Sequence, residues 1–246
     1  MAGTFQLDIS AAFDNFARQA SEIERSNIPF VTAYALTKTA QDVKAAIVDS
    51  MGSVFDRPTR FTLNALQVVP ATKRDLRSAV AFKQGFGSIP ASRYLGPEVE
   101  GGGRAKKSHE RALERAGILK AGEYAVPTKL APLDGSGNLK GSVITRMLSD
   151  VMANPDEQSN STAKTRARKR KRGGGYYFAV RRPNLPAGIY FRLGLRDIRP
   201  ILLFVRAPSY SKRLPYYDIA TDVTSKRLPV HFAEGLQRYG QQRRAG

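Results

Sequence analysis

Leu36, Ala40, Val43, Ile47 and Met51 recur at steps of four, three, four and four. That is the spacing of one face of a 3.6-residue helix. Lys38, Asp42, Lys44 and Asp49 fall off this face. The stretch IPFVTAYALTKTAQDVKAAIVDSM is therefore predicted as one amphipathic helix, with Asn27 capping its start, Pro29 in its first turn and Gly52 just past its end. So long a stripe needs a partner surface. The nearest candidates are two strands that follow the turn FDRPTR: one over 61–69, ended by Pro70, and one over 76–83 with rough alternation. Upstream, Phe13, Phe16, Ala17, Ala20 and Ile23 keep helical spacing and predict a first helix over 10–25, capped by Ser10 or Asp8. The connector SNIP is short, so the two helices are expected to form a hairpin.

Downstream the pattern loosens. GFGSIPASRYLGPEVEGGG, over 85–103, is dense in glycine and proline and reads as an extended loop pinned by Tyr94 and Leu95. A charged helix follows over 104–116, ended by Gly117. Residues 122–132 are extended, LDGSGN is a turn, and Ser142 is expected to cap a helix with the stripe Val143, Met147 and Val151. Residues 154–175 are polar, low in complexity and basic, and predict a mobile loop or a hairpin tip. Strands are predicted over 176–182, 188–193 and 198–206, the last an apolar run suited to burial. A closing helix over 216–239 carries Ile219, Val223, Leu228, Phe232, Leu236 and Tyr239, with a kink expected at Pro229.

These elements predict an α+β fold: N- and C-terminal strands in one antiparallel sheet, packed against long amphipathic helices, with a long loop-rich insertion. The expected organisation is 1–85 as helical hairpin and first strands of the core, 86–175 as an insertion with short helices and a basic arm, and 176–246 as strands and closing helix that complete the core.

Charge changes this picture more than size does. The chain of 246 residues is 41% hydrophobic, ample for a core. No apolar run approaches the roughly 20 residues of a spanning helix. MAGTFQLDIS lacks a basic segment followed by an apolar one, so no secretory signal is expected. There is no cysteine, which excludes disulfides and thiolate metal sites and fits a reducing cytoplasm. The net charge is +19 and uneven. Residues 1–150 hold 20 Lys+Arg against 15 Asp+Glu, whereas residues 151–246 hold 20 against 6, or +14. Such a half meets a polyanion: nucleic acid, an acidic protein surface or an anionic membrane.

The run KTRARKRKR places seven cations in nine residues: Lys164, Arg166, Arg168, Lys169, Arg170, Lys171 and Arg172. These are the candidate nucleic-acid-binding residues, each able to contact phosphate and release counterions. The alternative is a solvated loop, or one docked on an acidic protein neighbour. Tyr176, Tyr177 and Phe178 follow and suit either base stacking or a core. GSGNLKG lacks dinucleotide spacing and reads as a tight turn before a helix. His109 and His231 are far apart and lack partners at metal-ligand spacing. No nucleophile, base or metal cluster can be assembled, so neither enzymatic activity nor a cofactor is expected. An enzyme acting on cell wall or DNA would need a carboxylate pair or metal cluster.

The block YALTKTAQDVKAAI followed by FDRPTRFTLNAL resembles the N-terminal part of the minor tail protein Z group of tailed bacteriophages, which are tail-completion or head–tail joining proteins. LDGSGNLKGSVITRMLSDV and GIYFR…IRPILLFVRAPSYSKRLP…HFAEGLQRY are similar to segments of phage virion proteins of this kind. The resemblance implies a structural virion protein at the head–tail connector, neck or tail. Its partners would be other copies in a ring and neighbouring neck or tail proteins. It would be met in the virion, and in the host cytoplasm during assembly. The alternative is a basic nucleic-acid-binding protein that contacts packaged or exiting double-stranded DNA.

Overall fold

All five residues of the predicted stripe, Leu36, Ala40, Val43, Ile47 and Met51, are fully buried in the computed structural model, which describes residues 4–8, 22–85, 89–194 and 196–239. In chain order the helices and strands of four residues or more are β1 (Thr4–Asp8), α1 (Glu22–Val54), α2 (Arg60–Leu63), β2 (Leu66–Val69), β3 (Arg77–Phe82), α3 (Ser92–Glu100), α4 (Ser108–Arg115), β4 (Glu123–Pro127), α5 (Gly141–Asp150), α6 (Ala163–Lys171), β5 (Tyr176–Val180), β6 (Gly188–Leu193), β7 (Asp197–Arg206) and α7 (Tyr216–Tyr239). Helices and antiparallel sheets make this an α+β protein. The chain divides into two units, Met1–Gly101 with Tyr210–Gly246, and Gly102–Ser209.

In the first unit α1 lays its stripe on the sheet β1-β3-β2, whose neighbours are all antiparallel. Leu66, Val80 and Phe82 face the stripe, and α3 and α7 add Leu95, Val99, Tyr216 and Ala220 to the same core. Tyr216 ties α7 to the sheet, since its hydroxyl donates to the Val80 carbonyl at 2.8 Å. The α1–α7 seam is close because Gly235 sits where a side chain would collide with Val31. Phe30 and Tyr34 of α1 both pack edge-on against Tyr239.

The second unit has its own core. The sheet order is β4-β7-β6-β5, antiparallel throughout, with a bulge in the β6–β7 ladder at Ile189/Tyr190. Ala125, Tyr177, Ile189, Ile201 and Leu202 face Leu113 of α4 and Met147 and Leu148 of α5.

Several expectations are corrected. The C-terminal strands do not join the N-terminal ones: β5, β6 and β7 pair among themselves and with β4 from the middle of the chain, in a sheet of their own. The physical reason is that α1 is already covered by β2, β3, α3 and α7. The middle is accordingly no insertion into one core, since 102–209 is a unit in itself. SNIP is no connector either. Residues 26–29 are helical, because Ile28, Val31 and Ala35 extend the buried stripe backward past Pro29. Asn27 and Pro29 thus lie inside α1, and Gly52 lies inside its end. Most of the helix expected over 10–25 falls outside the described residues.

Residues 61–69 do not form one strand. Thr59 Oγ1 accepts from the Thr62 N–H at 3.1 Å and caps the helical turn α2, so β2 starts only at Leu66. The predicted loop over 85–103 contains α3, whose Leu95 and Val99, with Ala91 just before the helix, reach the core at helical spacing despite Gly96 and Pro97; residues 86–88 lie outside the described residues. Ser142 lies within α5 rather than capping it, with Lys140 at the cap position. The basic segment, expected as a mobile loop or a hairpin tip, contains α6.

Candidate functional site

Lysine, arginine and alanine are strong helix formers, and AKTRARKRK is built of little else. Thr162 starts α6, its Oγ1 accepting from the Thr165 N–H at 3.1 Å. The segment before it is fastened to the end of α5. Ser161 N–H donates to the Ser149 carbonyl at 3.0 Å, and Ser161 Oγ lies 3.1 Å from the buried Asp150 Oδ1. Arg166 turns back and donates to the Ser161 carbonyl. The basic helix is therefore held at its base.

Lys164, Arg166, Arg168, Lys169, Arg170 and Lys171 lie along α6 and Arg172 directly follows it. At 100° per residue these positions surround the helix rather than forming one face. Lys164, Arg168, Lys171 and Arg172 are exposed, and Arg166 is half-buried. The cations belong to the second unit, whose 22 Lys+Arg against 8 Asp+Glu give +14 of the chain's +19.

The aromatic run divides by strand alternation. Tyr177 is buried, its ring 4.9 Å from that of Phe191. Tyr176 and Phe178 point to the other face with centroids 5.9 Å apart, and both stay half-buried. Together with Arg166, Ile118, Val151 and Met152 they line a cleft of about 370 Å³. Charge and alternation were readable in the sequence. The cleft was not, because it needs Asp150 and Tyr177 side by side across 27 positions of chain.

Elsewhere the polar residues are structural. In LDGSGN, Asp134 Oδ1 accepts from the N–H groups of Ser136 and Asn138, each at 2.9 Å, so the turn spends its donors internally. Both histidines are buried, and they lie in different units. His109 is pushed down to about 4, by burial above all. Its neighbour Glu110, which sequence reasoning passed over, is fully buried. It takes a two-pronged hydrogen bond from Arg104, at 2.6 Å each, and further bonds from the N–H groups of Lys107 and Ala125. Burial raises the Glu110 carboxyl, but these donors outweigh it and leave it below the ordinary carboxylate value. His231 lies between Asp42 and Glu234. Among the described residues no group of three His, Asp or Glu side chains has the arrangement of a metal site, and no helix is long and apolar enough to cross a membrane.

Comparison with protein-family models, with curated proteins and with solved structures found no match to this chain.

Proposed function

We propose that this is a structural virion protein of a tailed bacteriophage, acting as a tail-completion or joining subunit at the head–tail connector, neck or tail. One observation carries the reading. The blocks that resemble phage proteins of this kind fall on framework elements of both units. YALTKTAQDVKAAI is the centre of α1, and FDRPTRFTLNAL runs through α2 to the start of β2. LDGSGNLKGSVITRMLSDV is the turn and α5, and the late block spans β6, β7 and α7. The likeness thus covers core positions of both units, among them Leu36, Val43, Ile47, Met147 and Ile201, together with the turns between the elements. In this reading several copies assemble with neighbouring neck or tail proteins, in the host cytoplasm and then in the virion. The test is negative-stain imaging and titre of particles made without this protein. Incomplete or unjoined tails are expected; complete, infectious tails would overturn the proposal.

A second reading, contact with double-stranded DNA, is favoured by the concentration of +14 in the unit that carries α6. Affinity for a duplex should fall steeply with salt, and replacing Lys169, Arg170, Lys171 and Arg172 by Ala should flatten that slope. Absence of binding at low salt would eliminate it.

A further inference from the structure

β5 is an open edge of the four-stranded sheet. The direction of its backbone groups follows from two hydrogen bonds. Tyr177 N–H donates to Asp150 Oδ2 at 3.2 Å, so Tyr177 turns its peptide groups away from β6. Phe204 N–H donates to the Ala187 carbonyl at 2.9 Å, which sets the alternation in β6 so that Ile189 and Phe191 face β7. These two residues are the direct partners of Ala179 and Tyr177. In an antiparallel ladder such pairs alternate, so Ala179 also directs its N–H and C=O off the sheet.

The groups that point off this edge are therefore the Tyr177 carbonyl and both backbone groups of Ala179, and both residues line the 370 Å³ cleft. One end of the edge is closed by Asp150. The other is closed by Arg181, whose guanidinium donates to the Ile118 carbonyl at 2.8 and 3.0 Å. Between these stops the walls are apolar, from Ile118, Val151, Met152 and the rings of Tyr176 and Phe178, with Arg166 as a cation among them.

We propose that this cleft is a strand-addition site that takes a short extended segment of a partner protein carrying acidic side chains. The open edge supplies one donor and flanking acceptors to a peptide backbone, and the apolar walls receive alternate side chains. The acidic character follows from charge: Arg166 lines the cleft, its helix carries the densest run of cations in the chain, and the unit has a net charge of +14. A peptide fits better than a nucleic acid, because two edge carbonyls would oppose a phosphate and the walls are largely apolar. The inference rests on the second unit alone and is independent of the virion reading.

The test uses the full chain and a short labelled peptide alternating Glu and Val, followed by fluorescence anisotropy. Three competitors are needed: the same peptide with a central proline, one alternating Lys and Val, and a short DNA duplex. The Glu-Val peptide should bind, and the proline and Lys-Val peptides should each bind about tenfold or more weakly. Amide exchange at Ala179 should slow in the complex. Met152 is 57% exposed with a φ of 59°, a conformation aspartate adopts readily, so Met152→Asp keeps the fold and places a like charge on the wall. It should weaken the Glu-Val peptide about tenfold. Arg166→Gln should erase the preference for Glu-Val over Lys-Val. Absence of binding, equal binding of the proline peptide, unchanged Ala179 exchange, or protection of Ala179 by the duplex instead would each overturn the proposal.

Discussion

His231 Nε2 of α7 lies 2.8 Å from Asp42 Oδ2 of α1, and this contact closes the seam between the two longest helices. Arg227 reaches the same oxygen at 2.7 Å, and Glu234 lies 3.2 Å from His231 Nδ1. Burial raises the Asp42 carboxyl, but hydrogen bonds from Arg227 and His231 outweigh it and hold it below its ordinary value. Asp42→Ala leaves the buried imidazole without its main partner and should cost about 1–2 kcal/mol, measured as a lower urea midpoint. Since the folded-state value of Asp42 is depressed, its contribution is present above pH 3.8 and lost as pH falls through the folded value. A double-mutant cycle with His231→Ala should show clear coupling; additive losses would mean the contact carries no energy.

Glu110 is the corresponding fixture of the second unit. Glu110→Ala would remove the carboxylate partner of the largely buried Arg104 and the acceptor of two N–H donors, and breaking a buried pair on one side costs on the order of 3–5 kcal/mol. Faster amide exchange at Ala125 should accompany the loss. A variant as stable as the parent would show that Arg104 finds another partner.

Glycines allow predictions of opposite sign. At Gly188 an added Cβ would lie 2.2 Å from the Leu202 carbonyl oxygen, which is backbone in the next strand and has nowhere to go. Gly188→Ala should therefore separate β6 from β7 and destabilise by at least about 2 kcal/mol. Gly52 sits in the exposed last turns of α1 with open space around it. Gly52→Ala should stabilise by up to about 1 kcal/mol through helix propensity. Thermal melts of the two variants should move in opposite directions.

How much of this was legible in the sequence depends on whether the information is local. The α1 stripe and β3 were readable because Leu36 to Met51 and Ser78 to Phe82 carry the helix and strand periods undisturbed. The pairing of β7 with β4 was not, because the alternation that brings Ala125 opposite Phe204 fits several partners equally well. α3 was hidden by Gly96 and Pro97, although Ala91, Leu95 and Val99 were correctly spaced. α6 has no apolar stripe, so periodicity is silent there and only propensity could have found it. α7 was placed correctly, and Ile219, Val223 and Leu228 of its stripe pack against the core, but its most buried positions are Tyr216, Ala220, His231 and Gly235, which that stripe does not include. At the candidate site the cations were plain, whereas the cleft beside them is made by Ile118, Met152 and Tyr176 from three separate stretches.

His109 gives the sharpest dependence on pH. Burial is the main reason it falls from 6.5 to about 4; Glu110 opposes this, while Lys107 and Arg104 add to it. Between those two values the unfolded chain binds a proton at this position that the folded chain refuses. Stability must then rise with pH across the window, and it is lost as pH falls from 6.5 toward 4. One such proton is worth about 1.4 kcal/mol per pH unit at most, on the order of 3 kcal/mol over the whole interval. Replacing the imidazole removes the term: His109→Leu should flatten the curve of unfolding free energy against pH between 4 and 6.5. Glu110 does not mimic this, because its stabilisation is lost only as pH falls below its ordinary value of 4.5. Urea titrations of parent and variant at several pH values isolate His109 by difference, since every other titrating group is common to both. Parallel curves would mean that the folded protein accepts the proton as readily as the unfolded chain does.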